Sequence, residues 1–307
     1  ARLPAATDGD THQGPERYRV TLPAGRDSFT LRYSGRIRHA LQQQGEEYAR
    51  SFSTTRGMIS PDGVFLSGSS YWYPHIEGSL LSFDLALRLP GTWKGMSQGD
   101  RLETPDTAGN RTERWRCTAP QEEIYLIAGP FTEYAHTQNG VQAMALLRRP
   151  NPALAQKYLD ATHRYIALYD ELIGPYPFGK FALVENFWET GYGMPSFTLL
   201  GPTVIRFPFI LHSSYPHEIL HNWWGNSVFV DYGSGNWCEG LTAYLADHLI
   251  YLDYHKHEVI WTRVFILRKS RSVPLKPQIL KLNIERNGLS VEEIPIALKP
   301  VWFASKL

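Results

Sequence analysis

Two histidines and a glutamate stand in the pattern His217-Glu218-Ile219-Leu220-His221, a spacing suited to metal-assisted hydrolysis. Residues four apart on a helix differ by about 40° in direction, so both imidazoles leave one face and can bind a single Zn2+. Glu218 lies about 100° round from His217, where its carboxylate can flank the metal and act as a base toward water. A catalytic zinc takes three protein ligands and keeps a fourth position open. Glu239 is the best candidate for the third ligand, because it opens a second helical segment, Trp237-Cys238-Glu239-Gly240-Leu241-Thr242-Ala243-Tyr244. The loop before it, 229–236, is rich in Gly, Asp and Ser and long enough to bring that helix back antiparallel. The expectation is one Zn2+ per chain, held by His217, His221 and Glu239, with Glu218 as the catalytic base.

These residues need two helices and a frame. Pro216 is tolerated only in a first helical turn, where no N–H partner is required. The spacing therefore predicts one helix over 213–225, stopped at Gly225-Asn226, and a second over 237–252. Upstream, residues 16–135 read as strands. Runs such as Ser28-Phe29-Thr30-Leu31-Arg32-Tyr33 and Ser82 to Leu89 alternate with period two and are cut by Pro, Gly and Asp turns. After Arg149-Pro150-Asn151-Pro152 the period changes to helical over 153–173, until Gly174-Pro175. Strands follow at 181–184 and 196–200. The fold class is α+β: an N-terminal antiparallel β saddle or sandwich over residues 1–150, then a mostly helical zinc domain over 151–253.

Composition sets the outer bounds. A chain of 307 residues has room for two domains, and 9 Trp, 17 Tyr and 14 Phe argue against disorder. A formal net charge of +1 gives no global reason to expect nucleic acid or an anionic membrane. Residues 254–307 differ: ten Lys/Arg stand against four Glu, with no Asp and one Gly. They form an atypical basic C-terminal segment, a truncated or divergent continuation with no nucleic-acid module in it, and read as solvated. No apolar run reaches the roughly 18 residues of a transmembrane segment. The first fourteen residues carry no signal-peptide core, which fits a cytoplasmic protein or one exported after removal of a signal. Cys117 and Cys238 read as two buried free thiols.

The stretch His217 to Val228, and Asn236 to Tyr244 after it, resemble the zinc helix and the second ligand helix of the gluzincin (M1-type) aminopeptidases, the family of aminopeptidase N and leukotriene A4 hydrolase. Tyr73-Pro74, the 83–89 strand and Ile124 to Phe131 are similar to that family's N-terminal β domain, so the resemblance covers roughly 16–252. It implies a β saddle followed by a thermolysin-like catalytic domain. It also implies removal of amino-terminal residues from a peptide substrate, with Glu218 as general base.

Two departures qualify the expected specificity. The family's Gly-x-Met-Glu-Asn strand supplies a Glu for the substrate's free amine, whereas this chain reads Gly193-Met194-Pro195-Ser196. Gly193 and Met194 keep the substrate-binding place, and Glu185 and Glu189 either replace the anchor or are solvated carboxylates. The family also places an oxyanion-donating Tyr downstream of the Glu ligand, and no tyrosine follows Tyr254. The alternatives are a zinc endopeptidase of altered specificity, or a catalytically weak zinc protein that binds peptides or a partner. Among neighbouring residues, Trp223, Trp224 and Trp237 read as core, and His212, His248, Tyr251 and Tyr254 as structural. Asp247 reads either as a partner to a ligand histidine or as a surface acid.

Overall fold

The computed structural model describes residues 5–7, 17–43, 52–76, 78–102, 112–231, 237–248, 278–285 and 288–297. Its architecture is β-rich with few helices, as expected of the N-terminal part. A six-stranded sheet runs in the order Asp100–Leu102, Thr112–Gln121, Leu81–Arg88, Gln278–Glu285, Gly288–Ala297, Ser28–Gly35. A four-stranded antiparallel sheet runs Gly57–Ser60, Gly63–Leu66, Leu126–Gly129, Lys94–Met96. Apolar strand faces drive both. In Leu81–Arg88 the side chains of Phe83, Leu85 and Leu87 are fully buried, and they share a core with Phe65, Leu66, Trp115 and Leu126.

Between this core and the helices lies a third sheet. Its strands are β1 (Thr132–Gln138), β2 (Val141–Leu147), β3 (Lys180–Glu185), β4 (Gly191–Met194) and β5 (Phe197–Leu200), in the order β1-β2-β3-β5-β4. β2, β3 and β5 are parallel neighbours, and β1 and β4 are antiparallel edges. Met144, Leu146, Ala182, Val184, Phe197 and Leu199 point into the β-domain core. Ala143, Ala145, Leu147, Phe181, Leu183 and Leu200 point to the other side. A sheet covered on both faces needs continuous apolar runs rather than alternation, and β3 is buried at every position.

The helical side begins with α1 (Pro152–Leu172), capped by Asn151 Oδ1 accepting from Leu154 N at 3.0 Å, with Pro152 in the first turn. Its Tyr158, Tyr165, Ile166 and Tyr169 pack in the second core, with Tyr215 and Ile219 of α2 (Ser214–Leu220) and with Cys238 of α3 (Trp237–Thr242). A π-helical turn, Ala243–His248, continues α3.

Three expectations change. The composition break at residue 150 is not a break in the sheet, because β1 and β2 precede it and pair with β3 after it. The part after 150 is less helical than expected, since β3, β4 and β5 alternate with short helices. The basic tail contributes a hairpin: Gln278–Glu285 lies parallel to Leu81–Arg88, and Gly288–Ala297 lies antiparallel to Ser28–Gly35. Among the described residues, no helix is long and apolar enough to cross a membrane.

Candidate metal centre

Pro216 occupies the first turn of α2, which leaves His217 and Glu218 in the helix proper and His221 at its end, still with helical φ −55 and ψ −16. The two imidazoles meet edge to face, with His217 Nε2 and His221 Nε2 3.1 Å apart. The helix is shorter than the expected 213–225. After His221 the bonding tightens, Asn222 N reaching Ile219 O at 3.1 Å and Trp223 N reaching Leu220 O at 3.0 Å. The cause is the fully buried Asn222 side chain, whose Nδ2 donates to Ile219 O at 2.9 Å and to Glu218 O at 3.2 Å. It satisfies carbonyls that a further turn would otherwise have used. Gly225, at φ 93, then turns the chain away.

Glu239 is the third residue of α3. Its Oε2 lies 3.3 Å from His217 Nε2, and its Oε1 lies 3.4 Å from His221 Nε2. Trp224 Nε1 donates to Thr242 Oγ1 at 2.7 Å, fastening α3 to the turn that follows α2. The donors of His217, His221 and Glu239 all lie within 4.8 Å of one another. Donors about 2.0–2.1 Å from a tetrahedral Zn2+ are about 3.3–3.4 Å apart, a spacing that the two imidazoles approach and that each carboxylate oxygen of Glu239 makes with one of them. Burial, then the neighbouring His217, lower the His221 pKa against the opposing pull of Glu239 and the Trp224 carbonyl. The neutral imidazole so favoured is the form that binds metal. Cys238 Sγ is 3.6 Å from His221 Nδ1, and both cysteines are buried free thiols as expected.

Glu218 points toward β4. A β-carbon at Gly193 would overlap Glu218 Oε2, so this glycine clears the space that the carboxylate occupies. Met194 faces away and is buried in the β-domain core. Glu185 is also buried, with both oxygens committed: Oε1 to Arg206 Nη1 and Oε2 to Arg148 N, each at 2.8 Å. Glu189 Oε1 accepts from Thr203 N at 2.8 Å, while its Oε2 carries no hydrogen bond. Trp223 and Trp224 are core residues as expected, whereas Trp237 is exposed, a correction that goes with its place in the first turn of α3, on the side away from the core that buries Cys238. His212 Nδ1 lies 3.3 Å from Tyr165 OH, a structural contact. Tyr251, Tyr254 and the Asp247 and His248 side chains lie outside the described residues.

A network behind the site has no counterpart in the sequence expectations. Pro195-Ser196 is the two-residue turn between β4 and β5, and Ser196 takes the left-handed φ of 66. That conformation is costly for a residue with a side chain and persists only when its surroundings enforce it. Ser196 N donates to Asn222 Oδ1 at 2.7 Å, and Ser196 Oγ and O accept from Lys180 Nζ at 2.6 and 3.1 Å. Lys180 is buried over the rings of Trp115 and Phe197. Its amine is pushed down to about 7, chiefly by burial.

No protein-family model matches the chain. A stretch of 88 residues, 27% of the chain, is 34% identical to leukotriene A-4 hydrolase of Xenopus laevis and spans 14% of that protein. An M1 zinc metallopeptidase of Deinococcus radiodurans shares the architecture at a TM-score of 0.55 and 17% identity, over 84% of this chain and 59% of that one. A mutant of such an enzyme, bound to a Tyr-Ser-Ala substrate, gives 0.58 and 15%, over 84% and 60%. The fold is that of the M1 zinc metallopeptidases. This M1-like chain therefore spans about 60% of the length of the solved structures it matches. Zinc is the metal that those M1 enzymes carry in their names, and two imidazoles with one carboxylate are a donor set that zinc accepts.

Proposed function

We propose that this chain is a zinc-dependent peptidase that removes residues from the amino terminus of peptides. One Zn2+ per chain is held by His217, His221 and Glu239, and Glu218 is the general base. On this reading residues 151–253 belong to a thermolysin-like catalytic domain whose sheet also takes in β1 and β2, and the residues before β1 belong to the β domain in front of it. The observation that carries the proposal is the convergence of the three donors beside a Glu218 carboxylate lodged against Gly193.

Bound zinc would supply Lewis acidity, polarising a scissile carbonyl and acidifying water at the open position. Glu218 takes the proton of the attacking water and delivers it to the departing amine. β4 is an edge of its sheet, so a peptide can align along it by main-chain hydrogen bonds. The bare Cα of Gly193 keeps that path clear beside Glu218.

Hydrolysis of aminoacyl-arylamides that is lost with a chelator and restored by zinc tests the reading. Replacing Glu218 with Gln should leave zinc bound and abolish turnover; wild-type rates in that variant would overturn the assignment. A second reading, endopeptidase activity, is favoured by Pro195 in place of an anchoring Glu and by the full commitment of Glu185. Cleavage of amino-terminally blocked peptides in preference to free-amine substrates selects it.

A further inference from the structure

We propose that His136 and His163 form a second divalent-metal site, outside the His217–His221 centre, that takes a borderline transition cation such as Zn2+, Ni2+ or Cu2+. His136 lies on the edge strand β1, and His163 lies in the middle of α1, which packs over the same sheet. His136 Nδ1 and His163 Nε2 are 3.2 Å apart, with the rings edge to face at 83° and 5.2 Å between centroids. The candidate catalytic pair of the same chain shows nearly the same arrangement, with nitrogens 3.1 Å apart and rings at 76° and 4.8 Å. Both separations are close to the roughly 3.3 Å between two nitrogen ligands of one tetrahedral ion.

The surroundings suit a cation. The His136 carbonyl oxygen lies 3.2 Å from the same His163 Nε2, a hard donor at the same point. Asp160, one turn earlier on α1, adds negative charge beside His163. Burial is the main force lowering the His163 pKa, which leaves its imidazole neutral at pH 7 with a lone pair to offer. His136 is exposed, so an ion has a path in. Without metal, one nitrogen carries a proton that bonds the other ring or the carbonyl. With metal, that proton sits on the far nitrogen of its own ring, and the ion takes the two facing lone pairs and cross-links the edge strand to the helix.

The protein, stripped of metal and dialysed against ZnCl2, should bind two equivalents. His136→Ala, which removes an exposed side chain, and His163→Gln should each bind one, with the wild-type circular dichroism spectrum. In a His217→Ala/His221→Ala background, added Cu2+ should give an electron paramagnetic resonance spectrum with hyperfine splitting from two nitrogens, lost on His136→Ala. The same background should melt at a higher temperature with Ni2+ than without, and His136→Ala should erase the shift. Unchanged zinc stoichiometry in His136→Ala and His163→Gln, or a Cu2+ spectrum without nitrogen splitting, would overturn the proposal. These readouts stand whether or not the His217–His221 centre hydrolyses peptides.

Discussion

The Asn222 side-chain oxygen accepts the Ser196 N–H at 2.7 Å, joining the end of the metal-site helix to the turn between β4 and β5. One buried amide thus serves both elements, because its Nδ2 also donates to the Glu218 and Ile219 carbonyls. The two groups that flank the candidate chemistry, Glu218 and Gly193, are held in register by a residue that touches neither's reactive atoms.

Asn222→Ala leaves the Ser196 N–H and the two carbonyls without that partner in a water-free place. Each buried orphan costs about 1–3 kcal/mol, so a loss of about 2–4 kcal/mol is expected after relaxation. Urea unfolding of the metal-free protein measures it. Asn222→Asp should be no better, since a carboxylate can accept from Ser196 but cannot donate to the carbonyls. Equal stability of Asp and wild type would show that the carbonyl bonds carry nothing.

At Gly193, replacement by Ala puts a methyl group where Glu218 Oε2 lies. The carboxylate must swing aside, and a displacement of about 1 Å at a reacting group can cost about 100-fold in rate. The metal donors are on other residues, so zinc content should stay at the wild-type value while peptide hydrolysis falls by about that factor. Metal analysis beside kcat/KM separates the two. A rate within twofold of wild type would mean that Glu218 has room the structure does not reveal.

The clustering of His217, His221 and Glu239 is legible in the sequence because helical spacing places the two histidines on one face and Glu239 opens the next helical segment. Where long-range bonding decides, the reading fell short. Asn222 continues a helical pattern locally, and its bond to Ser196, 26 positions earlier, is a long-range contact that the local pattern does not carry. The β1–β2 hairpin did carry a local signal that went unused, Asn139-Gly140, with φ of 50 and 79 in the tight turn. The tail hairpin carries almost none, because its place beside Leu81–Arg88 and Ser28–Gly35 is set by pairing between segments far apart in the chain.

Lys180 gives a pH signature. Its folded-state pKa of about 7 lies below the ordinary value of a lysine, so between the two the unfolded chain binds more protons than the folded one. With that sign, stability rises with pH from about 7 toward 10, and the contribution is least favourable below 7, where the buried amine is charged. Lys180→Met keeps a long apolar stem against Trp115 and Phe197 and removes the titrating group. Chemical unfolding at several pH values should show the rise in wild type and a flatter profile in the variant. Parallel profiles would place the Lys180 amine in contact with water.

Removing zinc separates chemistry from fold. His217, His221 and Glu239 are partly exposed, at 20%, 14% and 56% of their side-chain surface, and stand at the rim of a core that includes Tyr215, Ile219 and Leu220. The apolar packing does not depend on the ion, and the links from Trp224 to Thr242 and from Asn222 to Ser196 hold the helices without it. Chelation should therefore abolish peptide hydrolysis while the circular dichroism spectrum is kept, with a drop in melting temperature that zinc reverses with the logarithm of its free concentration above the dissociation constant. Lowering the pH should weaken zinc binding in the same way, because protons compete for the imidazole nitrogens of His217 and His221. Collapse of the far-ultraviolet signal on chelation would instead make the ion a structural requirement, and the helix-to-turn bonds described here would be too weak to substitute for it.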